Sequence, residues 1–199
     1  RVAAVNTLGT GPFSLPSSGQ TTAAMSVPSA PQQIDVVLNT PTVAGGTTLP
    51  TAGTAVSAVL TWGKPDFYGG TSSVTYHVET NLLGMYGDAC SITSAIPGYD
   101  DATKSLGLSL EYDTLDQANL PGFARENAID NDKYTAISTN TSNVVARSVP
   151  ISFNDRHAAL YLYRVRATNA VGHSVYSSRR LVVTPVDTTI QPNAPTYVQ

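Results

Sequence analysis

Apolar and polar residues alternate along several stretches of this chain with the two-residue period of half-buried β-strands. SAVLTW at 57–62 puts Ala58, Leu60 and Trp62 on one face, SVTYHVE puts Val74, Tyr76 and Val78 on one face, and YLYRVRATN puts Tyr161, Tyr163, Val165 and Ala167 on one face. Pro65 and Gly69-Gly70 punctuate the link between the first two, and Asn169 with Gly172 supplies a turn before HSVYSSRRLVVTP. Leu106, Leu108, Leu110 and Tyr112 alternate in a further stretch, as do Val149, Ile151 and Phe153. Both predict strands. The interval TLDQANLPGFARENAIDND reads as short helical segments interrupted by Pro121-Gly122. His77 is out of phase with Tyr76 and Val78, which predicts a solvent-facing ring. Arg179-Arg180, on the strand expected last, reads as charge protecting a sheet edge. Strand, turn, strand, a long interval and then a hairpin predict an all-β sandwich of the immunoglobulin-like kind.

The chain also echoes itself. RVAAVNTLGTGPFS from Arg1 and RVRATNAVGHSVYS from Arg164 share Arg, Val, Ala, Asn, Gly and Ser at equivalent places. PSAP at Pro28–Pro31 recurs as PNAP at Pro192–Pro195. Two echoes in the same order and at nearly the same distance predict a repeat slightly shorter than the chain. On that reading residues 1–20 are the tail of a preceding unit and 21–30 a linker. Residues 31–186 form a complete unit with an insertion at about 81–156, and 187–199 carry a linker and the start of the next unit.

Composition narrows the function classes. Of 199 residues, 41% are hydrophobic and 13% charged, enough apolar material for a core. A net charge of −3 offers no basic surface for phosphate backbones, so nucleic acid is not an expected partner. No apolar run reaches the ~20 residues of a membrane-spanning helix. Cys90 is the only cysteine, which rules out a disulfide within the chain and leaves a small buried thiol or an intermolecular bond. There is no G-x-S-x-G, H-E-x-x-H or phosphate loop, and His77, His157 and His173 share no spacing, so no catalytic residue and no cofactor is expected. Asp130 and Asp132 flank Asn131, and Asp100-Asp101 forms a second acidic pair. Such groups offer oxygens to calcium, but without the EF-hand spacing a solvated Asx turn is the favoured reading. Asn140 opens an N-T-S triplet that can accept a glycan, and the Thr- and Ser-rich stretches from Asn39 and Ser14 offer O-linked positions.

PSAPQQIDVV, LTWGKPDFYGGTSSVTYHVE and YLYRVRATNAVGHSVYSS together resemble the A strand, the B to C segment and the F to G hairpin of fibronectin type III domains. The resemblance implies that Trp62 is the core tryptophan of strand B and that Tyr161 is the strand F tyrosine fixing the E to F corner; the in-phase alternation of their strands predicts that Trp62, Tyr76 and Tyr163 meet in one core between two sheets. The family motif has Leu where this chain has Asp155, with Phe153 or Leu160 available to fill the corner. The unit is longer than the about 100 residues of such sandwiches, the excess falling in a small, polar loop from Asn39 and in 81–156. The expected function is an extracellular or cell-surface structural protein of tandem, filament-forming units, with neighbouring repeats or copies of itself as head-to-tail partners. Alternatives are an adhesion or carbohydrate-binding module with glycans as partners, and an accessory domain of a secreted carbohydrate-active enzyme.

Overall fold

The computed structural model describes residues 1–19, 23–39, 57–85, 108–116, 118, 120, 122–137, 143–153 and 159–184. Near the N-terminus, β1 (Val5–Asn6) and β2 (Gly9–Thr10) form a two-stranded hairpin. The rest is built on two antiparallel sheets. One consists of β3 (Gln32–Asn39), β4 (Ser57–Gly63) and β9 (Ser148–Ser152), in the order β3-β4-β9. In the other, β6 (Leu108–Glu111), β11 (Arg180–Val183), β10 (Ala159–Thr168) and β5 (Thr75–Met85) lie side by side. The far edge of β5 pairs with the short β7 (Thr135–Ala136) and β8 (Asn143–Val144).

The alternation predicted from the sequence sets the inner faces. Ala58, Leu60 and Trp62 from β4, Ile151 from β9, Tyr76 and Val78 from β5, and Tyr163 and Val165 from β10 form one core between the sheets. Trp62 meets Tyr76 edge to face, centroids 5.4 Å apart, the geometry aromatic quadrupoles favour. The architecture is therefore an immunoglobulin-like β-sandwich.

A second core lies on the opposite face of the larger sheet. Leu160, Leu162, Leu181 and Val183 alternate out of phase with the inner residues, and Leu83 joins them from a bulge where β5 carries one residue more than β10. These side chains would face water in a two-layer sandwich. Instead Tyr112, Leu120, Ala124 and Ala128 cover them, the last two from helix α1 (Gly122–Ile129). Ala124 and Ala128 are small enough to let the helix backbone approach the sheet.

Three expectations change. Gly122 opens α1 instead of interrupting a helix, since first-turn N–H groups lack intrahelical partners and a glycine costs less at a helix end than in its interior. The strand bearing Arg180 is not an edge, because β6 pairs with it from Arg180↔Glu111 to Val183↔Leu108. His77 is on the outer face, yet its side chain is only 18% exposed and lies 3.0 Å from Glu79. The Asn39 loop beyond its first residue, Cys90, Asp100-Asp101, Asn140, Asp155, His157 and residues 187–199 lie outside the described residues.

Candidate functional site

The N-terminal hairpin and the turn after β10 share four hydrogen bonds at equivalent positions. Ser14 N donates to Val2 O at 2.8 Å, and Ser177 N to Val165 O at 2.9 Å. Val2 N donates to Ser14 Oγ at 3.0 Å, and Val165 N to Ser177 Oγ at 3.1 Å. Gly11 N and Ser174 N each donate at 2.8 Å, to Ala4 O and Ala167 O. At the turns, Leu8 N donates to Asn6 Oδ1 and Val171 N to Asn169 Oδ1, both at 2.9 Å. Gly9 and Gly172 sit at φ of 136° and 156°, a conformation β-carbons disfavour. The environments differ: Val165 and Ala167 are fully buried, whereas Val2 is 76% and Phe13 66% exposed.

On the outer face of the larger sheet, beside the second core, the insertion and the sandwich meet through charge. Glu79 of β5 accepts from Arg164 Nε at 2.7 Å and from the Tyr176 hydroxyl at 2.7 Å. The Arg164 guanidinium lies between the rings of Tyr134, 3.6 Å away, and Tyr176, 3.9 Å away, and also donates to Asn131 Oδ1 at 2.8 Å. Burial alone would raise the Glu79 pKa, but the Tyr176 hydroxyl and Arg164 outweigh it and hold the carboxyl below its ordinary value. A second clamp joins Arg179 to Asp113, whose two oxygens accept from the Arg179 amide at 2.9 Å and from Nε at 3.0 Å. Arg179 also donates to Ala128 O, and Asn81 to Asn127 O, so two carbonyls at the end of α1 find partners on the sandwich. Arg180 reaches across to Asp35 of β3 at 2.7 Å. The two arginines read from sequence as edge protection thus tie layers together, because the strands they would guard are already covered.

The residues singled out by sequence fall in separate places. Trp62, Tyr76 and Tyr163 share the inner core. Burial pushes the Tyr163 phenol far above its ordinary value. Tyr161 is half-buried at the rim of that core, its ring 5.1 Å from Phe153 and 6.4 Å from Tyr163. Asp130 accepts from Asp132 N at 3.1 Å, an Asx turn capping a short 3-10 segment at Asn131–Lys133. Among the described residues no group of three or more His, Cys, Asp and Glu is placed to hold a metal ion, and no helix is long and apolar enough to cross a membrane. A cleft of about 620 Å³ opens at the sandwich rim, lined by Thr80, Ile137, Pro150, Ile151, Tyr161 and Tyr163. Sequence reading missed the Glu79, Arg164, Tyr134 and Tyr176 cluster, whose members are far apart in the chain. The one available signal was the unbroken apolar run AALYLY at 158–163, which marks a strand buried on both faces.

No model of a known protein family matches the chain, and no curated protein matches it. Among solved structures, a fourth FNIII domain of a human protein is similar at 16% identity and TM-score 0.45, over 90% of this chain and 96% of that one. A fibronectin type-III domain of human fibronectin type III domain containing protein 3 gives 14% and 0.35, over 88% and 100%. A group of titin domains gives 16% and 0.40 over 81% of this chain, which spans only 33% of that structure's length. These likenesses transfer no residue role; the architecture stands on the strand pairing above.

Proposed function

We propose that this chain is a section of an extracellular structural protein whose tandem fibronectin type III-like units act as spacers and interaction surfaces in a filament. One observation carries the reading: Arg1–Ser14 has the backbone and side-chain bonding of the hairpin at Arg164–Ser177 while its valine lacks the sandwich that buries the counterpart. A hairpin this small is marginal alone in water. Val2 and Ala4 therefore belong against the inner face of another unit, either an earlier repeat or a strand-receiving copy, with the covalent repeat favoured because residues 23–31 run on as an ordinary joint.

Amide exchange tests this. In the 199-residue chain, Gly11 and Ser14 should exchange far faster than Ser174 and Ser177. In the native polypeptide the two pairs should be protected alike, and images should show a beaded fibril with one bead per repeat. A monodisperse native monomer without end-to-end contact would overturn the filament reading.

A second reading, adhesion or carbohydrate binding, is favoured by the cleft at the rim, where the half-buried Tyr161 offers an aromatic ring beside Ile137 and Pro150. A shift of tyrosine fluorescence on titration with oligosaccharides would support it, and silence across a varied panel would dismiss it.

A further inference from the structure

Residues 25–31 cross the end of the sandwich and are bonded there to two turns. Ser26 N donates to Gly69 O at 3.1 Å and Ser29 N to Phe67 O at 2.9 Å, while Ser29 Oγ accepts from Phe67 N at 3.0 Å. Pro28 and Pro31 are buried. Gly69 makes the approach possible: its φ is +73°, and a β-carbon there would stand 2.0 Å from Ser26 O. Asn169 completes the contact, its amide nitrogen beside Gly69. Its Oδ1 accepts from Val171 N at 2.9 Å and Gly172 N at 3.1 Å, which fixes the side chain in its own turn. Its Nδ2 then donates outward to Ser26 O at 2.7 Å and Tyr68 O at 3.1 Å. One side chain, ordered before the linker arrives, joins two turns and the linker, so little entropy is lost on contact.

Asn6 occupies the same place in the N-terminal hairpin, and its Oδ1 closes the same turn. Its Nδ2 makes no hydrogen bond among the described residues. We propose that Asn6 is an interaction site whose partner is the backbone of an extended, proline-bearing linker of the Ser26–Pro31 kind from a neighbouring unit, and that this Asn-keyed contact fixes the angle at each joint. The proposal rests on reading Arg1–Ser14 as the hairpin of another unit. Each unit then grips the segment that enters it, and the array is a stiff rod instead of a chain of free swivels.

Asn→Asp at either position tests the idea. Asp keeps the oxygen that closes the turn but sets a carboxylate oxygen against carbonyl oxygens where the amide donated. In the native polypeptide, Asn169→Asp should speed amide exchange at Ser26 and Ser29 by about tenfold or more while Val165 and Ser177 are unchanged. Gly69→Ala, whose β-carbon would stand 2.0 Å from Ser26 O and 2.5 Å from Asn169 Nδ2 and so wedge the two apart, should give the same pattern. Images of both Asn6→Asp and Asn169→Asp should show a wider spread of bead-to-bead angles at the altered joint. Unchanged exchange at Ser26 and Ser29 in Asn169→Asp would overturn the latch. A loosened joint in Asn169→Asp beside an unaltered one in Asn6→Asp would overturn the assignment of Asn6. Absence of beads in the unsubstituted polypeptide would instead refute the tandem array, so the two failures are separable.

Discussion

Replacing Arg164 with Met keeps an unbranched apolar stem and removes the guanidinium, which isolates what that group contributes where insertion meets sandwich. The side chains of Arg164 and Glu79 are each 11% exposed, so the pair behaves more like a buried than a surface one. Exposed pairs contribute about 0–1 kcal/mol, whereas stranding one member of a buried pair costs about 3–5 kcal/mol. Glu79 would keep the Tyr176 hydroxyl, which lowers the cost, while the stacking on Tyr134 and Tyr176 would be lost. We expect a loss of about 2–4 kcal/mol, a fall of about 1 M or more in the urea midpoint at the slope usual for such domains. A double-mutant cycle with Glu79→Gln should return a coupling of about 1–3 kcal/mol, because the two side chains share one network. A loss below about 1 kcal/mol, or additive single effects, would show that solvent screens the pair and that the second core alone holds the insertion.

Trp62→Ala should cost about 3–5 kcal/mol in urea unfolding, and Trp62→Phe much less, because the buried indole N–H has no acceptor to lose; an unchanged midpoint in Trp62→Ala would mean the core has been misassigned. Glu79 and Asp113 both have pKa values lowered in the folded state against the opposing effect of burial, Glu79 by the Tyr176 hydroxyl and Arg164 and Asp113 by Arg179. Their contribution is therefore fully present above the unfolded carboxyl range of about 4 and is lost as pH falls below it. Tyrosine fluorescence should report loosening of the insertion between about pH 4.5 and 3, and Glu79→Gln should flatten that step. Limited proteolysis should leave 122–137 intact in the native chain, since Ala124 and Ala128 are buried against the sheet; rapid cleavage inside α1 would contradict the covered face.

Much of the sandwich was legible because β-strand alternation is local. In β4, Ala58, Leu60 and Trp62 are apolar at every second position and are buried, and burial on one face is sufficient reason. The hairpin echo was legible for the same reason, since Asn6 and Gly9, like Asn169 and Gly172, close their turns with bonds between near neighbours. The fate of the outer face was not. Leu162 and Leu181 carry no local mark of what covers them; the partner is a helix from a distant segment. Arg179 and Arg180 illustrate the limit most clearly. From sequence they are charges on a last strand, and edge protection follows from that position alone. Whether a strand has an edge depends on pairing with residues 108–111, some seventy positions away, and that pairing turned both arginines from solvent guards into clamps on Asp113 and Asp35. Sequence thus determined which residues alternate and where the chain turns, because those depend on neighbours within a few bonds. Only tertiary structure decided which face was covered and which charges were paired, because burial and Coulomb energy depend on distance in space, not along the chain.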